Sequence, residues 1–194
     1  SAGDVNGDGF CDVIIGAYVY SNAEFEAGRA DVFLGSSGGL STTSAWHVEG
    51  TGVIDYLGID VSGVGDVNGD GYGDVAVSDR AYQQTPMDQG RVSVFHGGAT
   101  GLPSAPNWTM MGGQGYSFFR YIGAAGDVNG DGYSDIIVGA PGYDNGQDHE
   151  GRAMTFLGGP AGLSSSSDWS AEGDQAQAYF GNAVSSAGDM NGDG

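Results

Sequence analysis

The chain has 194 residues, 39% of them apolar, enough to bury a sizeable core. Its 25 acidic residues face five arginines and no lysine, giving a net charge of −20; that sign excludes nucleic acid and anionic membrane surfaces as electrostatic partners and leaves bound cations as the simplest counter-charge. The single cysteine, Cys11, excludes an intrachain disulfide, and no apolar run nears the roughly 18 residues of a membrane span.

The chain opens on DVNGDGFCD (4–12), which sets side-chain oxygens at Asp4, Asn6 and Asp8, adds Asp12, and runs straight into the apolar stretch VII. A polar loop follows at 18–28, Gly28–Arg29 begins a second strand, GSSGG (35–39) reads as a turn, and Trp46 marks a third strand. Gly35, Ser37 and Gly39 satisfy the hydrolase pattern Gly-x-Ser-x-Gly. Ser37 is matched by Ala99 and Pro160 further along, however, and the segment joins strands with no helix after it. It is a turn.

The same order then recurs. DVNGDGYGD covers 66–74, DVNGDGYSD covers 127–135 and DMNGDG ends the chain at 189–194, at steps of 62, 61 and 62 residues. Gly-Arg pairs begin at Gly28, Gly90 and Gly151, tryptophans follow at Trp46, Trp108 and Trp169, and Gly-Leu pairs recur at Gly39, Gly101 and Gly162. A fixed long period signals a repeat architecture. Glycine, at 39 residues, is about three times its usual share of roughly 7% and shows no three-residue period, so it marks tight turns between short strands. In the third unit those strands are FFRYIGAAG, SDIIVGA, RAMTFLG and DWSAE. The expected fold is all-β: four-stranded antiparallel propeller blades, in about three repeats of 61–62 residues, forming an open or partial propeller. The expected boundaries are 1–50 (lacking its first strand), 51–112, 113–174, and 175–194 as the first strand and half loop of a further blade. The chain begins inside one loop and stops inside its equivalent, so it reads as a section of a longer array or as a protein whose copies complete one another. The tail AYFGNAVSSAGDM is then a strand with an open edge.

Three carboxylates gathered in one loop repel unless a cation lies among them. Calcium takes six to eight oxygens, which alternating loop positions supply. Asp4, Asn6, Asp8 and Asp12 would give side-chain oxygens and Phe10 its carbonyl, with Gly9 permitting the sharp turn. The same roles fall on Asp66, Asn68, Asp70, Tyr72 and Asp74, then on Asp127, Asn129, Asp131, Tyr133 and Asp135; Asp189, Asn191 and Asp193 form a half-site. Three Ca²⁺ ions are expected. An EF-hand would need a glutamate at its twelfth position, where this chain has Ile15, Val77 and Val138. Zinc lacks its Cys and His ligands, and magnesium prefers a smaller, better hydrated site. A plain Asx-rich turn remains the competing reading of any one loop, but three complete copies in register argue against it.

The pattern resembles the FG-GAP repeat, the propeller blade of integrin α-subunits and of many bacterial secreted or surface proteins. Phe180–Gly181 and Gly139–Ala140–Pro141 fit its name; Leu57–Gly58 and Phe118–Phe119 stand for one pair, and Gly16–Ala17–Tyr18 and Ser78–Asp79–Arg80 for the triplet. The resemblance implies calcium-stabilised blades, a non-catalytic adhesion, binding or scaffold surface, and a secreted or cell-surface setting. The alternative is a lectin or polysaccharide-processing propeller built from unrepeated loop residues.

Meander topology puts the loops 18–28, 80–90 and 141–151 at the end opposite the calcium loops. They vary between units and carry Tyr18, Tyr20, Phe25, Tyr82 and Tyr143, a composition suited to a protein or glycan ligand. Further blades or other copies of the chain are the other expected partners. His47, His96 and His149 occupy different positions in their units and suggest no shared chemistry. The tryptophans read as packing between or along blades before sugar platforms. Arg29, Arg91 and Arg152 read as internal ion-pair partners before anion ligands.

Overall fold

The computed structural model describes residues 1–81 and 85–188. Among these, all regular structure is β, in three antiparallel sheets. The first is β1 (Val13–Ala17), β2 (Arg29–Phe33) and β3 (Trp46–Glu49). The second is β4 (Asp60–Gly65), β5 (Asp74–Asp79), β6 (Arg91–Phe95) and β7 (Trp108–Met111). The third is β8 (Tyr121–Gly126), β9 (Asp135–Ala140), β10 (Arg152–Phe156) and β11 (Trp169–Glu172). Every strand pairs with its sequence neighbour, so each sheet is a meander, the form of a propeller blade. The first sheet has three strands, and Ser1–Gly3 add to it only a bridge from Gly3 to Asp12.

Blades stack face to face. Every residue of β5 is buried between the sheets of blades one and three, and β9 nearly matches it, lying between blade two and the tail, where a Cβ on Gly139 would sit 1.8 Å from the Gly181 carbonyl. One core joins blades one and two through Val5, Ile14, Val32, Leu57, Val77 and Phe95. A second joins blades two and three through Val64, Val94, Phe119, Ile136, Val138 and Phe156. At each seam a tryptophan of the outer strand reaches the next blade. The Trp46 ring meets Phe95 edge-on at 4.9 Å and its Nε1–H donates to the Pro103 carbonyl at 2.8 Å; Trp108 meets Phe156 at 5.1 Å and donates to Ser164 at 2.9 Å. Packing is the role of both.

The glycine of each Gly-Arg pair sits at the opposite edge of the seam. Gly28, Gly90 and Gly151 have φ of +85°, +79° and +77°, and a Cβ there would lie 2.2–2.5 Å from backbone atoms of Leu57, Phe119 or Phe180. These contacts also correct the register of the repeat. Leu57, Phe119 and Phe180 each donate their N–H to the residue before that glycine, so the third unit's counterpart of Leu57–Gly58 is Phe119–Arg120, not Phe118–Phe119. A one-residue deletion ahead of β8 explains the slip.

The tail departs from expectation as well. Its described part, 175–188, forms no strand; Phe180 makes an isolated parallel bridge to Gly151 and the Ser186 N–H donates to Ala124. Leading strands β4 and β8 are laddered to the strand that follows their loop, and this segment has no such partner.

Candidate metal centres and the opposite face

Each Asp-rich loop folds around its first aspartate. Asp4 accepts the N–H groups of Gly7, Asp8 and Gly9 at 2.7, 3.1 and 2.8 Å. Asn6 accepts from the Asp8 N–H and donates to the Asp8 carboxylate, and Asp8 accepts from the Phe10 N–H. Asp66 and Asp127 repeat the pattern in their own loops. The last aspartate is buried and ties the loop to its blade. Asp12 accepts the N–H of Val5 and of Gly35, Asp74 those of Val67 and Gly97, and Asp135 those of Val128 and Gly158, at 2.7–2.9 Å. The loops also bind one another: the N–H of Gly73 donates to the Asp4 carbonyl, and that of Ser134 to Asp66. The Tyr72 ring lies over Gly7, and Tyr133 over Gly69.

Electrostatics divide the aspartates. At Asp4 burial opposes ionisation, but the N–H groups of Gly9, Gly7, Asp8 and Asn6 together hold the carboxyl below its ordinary range. The Gly132 N–H leads the same effect at Asp127. Burial instead pushes Asp74 up to about 7, with Asp66 and Asp70 adding to the rise against the N–H groups of Val67 and Gly97. Asp135 is raised for the same first reason. Among the ion pairs of the described residues, none involves a loop carboxylate.

The donor set fits a hard cation. An ionised carboxylate has about four acceptor sites and an amide oxygen two, so Asp8, Asp12 and Asn6 retain acceptor capacity beyond the bonds above, and the Phe10 carbonyl adds another. The carboxylates of one loop are nevertheless not drawn within 4.8 Å of one another; two other groups are, Asp144–Asp148–His149 and Glu150–Glu172–Asp174. Both lie at the opposite end and have internal partners: His149 Nδ1 to Asp148 at 2.9 Å, and Asn145 to Glu150 and Glu172. They were missed in the sequence because DNGQDHE does not recur in the other units. Asp189, Asn191, Asp193 and Tyr82 lie outside the described residues.

At the opposite end Phe25 and Tyr18 are exposed, and Tyr18 meets Tyr56 edge-on. Tyr20 and Tyr143 also serve the scaffold, since Arg29 and Arg152 stack on their rings at 5.4 and 5.2 Å. The arginines are internal partners: Arg29 pairs with Asp31 and Glu49, and Arg91 with buried Asp79. No helix among the described residues is long and apolar enough to cross a membrane.

The FG-GAP repeat profile matches residues 119–153, which run from the seam residue Phe119 through loop three into β10. The chain thus carries an FG-GAP repeat. It is similar to mouse integrin alpha-IIb (36% identity over 149 residues; 72% of this chain, 14% of that protein). It is also similar to human integrin alpha-6 (32%; 71% and 12%) and to integrin alpha-5 of Xenopus laevis (33%; 79% and 15%). The chain therefore spans about one seventh of the relatives it matches. The FG-GAP match and the integrin α likeness agree with the β-propeller blades described above.

Proposed function

We propose that the chain is a calcium-stabilised propeller module with a non-catalytic binding or scaffold role at the cell surface or in a secreted protein. One Ca²⁺ would sit in each complete loop, on Asp4, Asn6, Asp8, Phe10 and Asp12 and their counterparts, with blade boundaries near 50, 112 and 174. The observation that carries this reading is the three-fold recurrence of a loop with three carboxylates and, among the described residues, no cationic side chain paired to it. The ion would supply the missing positive charge; the aspartates, through their bonds to loop and blade N–H groups, hold the donors ready and fix the corner between successive strands. Ligands would meet the variable face carrying Tyr18, Tyr20, Phe25, Tyr82 and Tyr143. Extracellular calcium modules bind at about 10⁻⁴–10⁻³ M, and a site with Kd one hundredth of the ambient level adds about 2.7 kcal/mol of stability. Titration calorimetry should find three calcium equivalents, and excess chelator should lower the melting temperature by several degrees. An unchanged melt with no calcium heat sinks the metal assignment.

A further inference from the structure

We infer that the cavity between blades one and two is a binding site for a small organic ammonium ion, whose apolar body enters the seam while its charge stays at the mouth. The cavity has a volume of about 340 Å³ and is walled by Val5, Val32, Leu34 and Trp46 of blade one and by Thr100 and Leu102 of blade two. That size and apolar lining are those of small-ligand pockets. Both walls come from described residues of adjacent blades, which meet through the core around Val32 and Phe95.

The repeat shows that this space is not demanded by the fold. In seam two the counterparts of Leu34 and Ala45 are His96 and Asn107. Ala45 and Asn107 hold the same register, their N–H groups donating to Val32 and Val94. The His96 ring lies against the turn of blade three, where a Cβ on Gly162 would sit 2.9 Å from its Cε1. Asn107 Oδ1 fixes that histidine by accepting its backbone N–H at 2.8 Å. In seam one a Cβ on Gly101, the counterpart of Gly162, would meet nothing within 4 Å. Leu163 is buried in seam two, whereas Leu102 in the same place is only partly so. Seam one keeps open a volume that seam two fills with its own side chains. Trp46, held edge-on by Phe95 and by its bond to the Pro103 carbonyl, keeps that wall in place.

Charge decides what occupies the cavity. The chain has no lysine, and all five arginines lie at the far end of the blades. Arg29, Arg91 and Arg152 open the strands that return from there, Arg80 follows β5 and Arg120 precedes β8. The near end carries the aspartates. Asn6, which also lines the cavity, donates its amide to the Asp8 carboxylate at 3.0 Å, so a negative charge stands one side chain from the wall. A divalent ion in loop one would offset only two of the three charges on Asp4, Asp8 and Asp12, so the preference for a cation does not rest on the metal assignment. Thr100 is exposed and offers its hydroxyl oxygen to an ammonium N–H. An anion of the same shape meets only a repelling field.

The test titrates the intact chain in calcium buffer with phenethylamine, phenethyl alcohol and hydrocinnamate, which share a ring and differ in charge. Backbone amides and the Trp46 indole N–H are followed by NMR. The amine should saturate with a Kd of about 1 mM or tighter, move the signals of the cavity residues, and bind about tenfold or more tightly than hydrocinnamate. Leu34→His combined with Ala45→Asn copies the filling of seam two and should weaken amine binding about tenfold or more. Thr100→Lys changes an exposed side chain and leaves the cavity open; it should weaken the amine about tenfold and strengthen hydrocinnamate, where a merely steric effect would weaken all three probes alike. Should the double variant fail to fold, Thr100→Lys decides alone. The proposal is overturned if the amine gives no saturable shift, if shifts fall away from the cavity, or if the three probes bind equally. A folded double variant with undiminished binding overturns it too, as does an unchanged order of probes in Thr100→Lys.

Discussion

At the scale of single residues, the glycines separate into those that turn the chain and those that let blades touch. Gly90 and Gly101 have nearly equal φ, +79° and +82°, but a Cβ on Gly90 would lie 2.4 Å from the Phe119 carbonyl whereas one on Gly101 meets nothing within 4 Å. Gly101→Ala should therefore cost only the left-handed strain, about 1–2 kcal/mol. Gly90→Ala adds a backbone collision and should cost about 2–5 kcal/mol in total; comparing denaturant midpoints of the two variants checks the difference. The same logic explains the departures from the FG-GAP pattern. Gly16 and Gly139 would place a Cβ 2.0 and 1.8 Å from the carbonyls of Gly58 and Gly181, so each triplet glycine abuts the pair glycine of the next blade. At the remaining seam both are replaced together, by Ser78 and Arg120. The two halves of the motif are one contact seen from two blades.

The element that sets blade spacing is the outer strand with its tryptophan. Trp108 contributes ring contact with Phe156 and a hydrogen bond to Ser164, which can be separated. Trp108→Phe keeps an aromatic ring and should lose about 0.5–1.5 kcal/mol for the bond, whereas Trp108→Ala should lose about 3–5 kcal/mol; urea unfolding resolves the two. Most of this level was legible in the sequence. Period, strand order, the packing role of Trp46 and Trp108 (Trp169 is half exposed) and the internal pairing of Arg29 and Arg91 followed from recurrence and charge. The Phe119–Arg120 register did not, because the 61-residue step shows one residue missing between Trp108 and Asp127 without showing on which side of the pair it falls. Nor did the second use of Tyr20 and Tyr143 as platforms for arginine, which composition alone could not distinguish from ligand contacts. At the loops the sequence supplied the donor types, while the tie from the ninth-position aspartate to the following turn (Asp74 to Gly97) joins residues too far apart for local pattern to reveal.

For the molecule as a whole, each core is shared by two blades and each Asp-rich loop is hydrogen-bonded to the next, so no blade buries its apolar surface alone. Repeat proteins are stabilised by such nearest-neighbour interfaces as much as by their units. A defect in the central blade should then weaken both flanking ones. Asp70→Ala removes a carboxylate from loop two while leaving the buried Asp74 and its ties to Val67 and Gly97 in place. If the units were independent, it would create an early transition involving one blade and leave the two other proposed calcium sites at full affinity. The interlocked arrangement, with Tyr72 over Gly7 and Tyr133 over Gly69, predicts otherwise. The variant should melt in a single transition at lower temperature, with calorimetric and van't Hoff enthalpies still in agreement, and the two remaining sites should bind calcium more weakly than in the parent. Two resolved transitions, or two unaltered sites, would show that the seams transmit nothing and that each blade stands on its own metal.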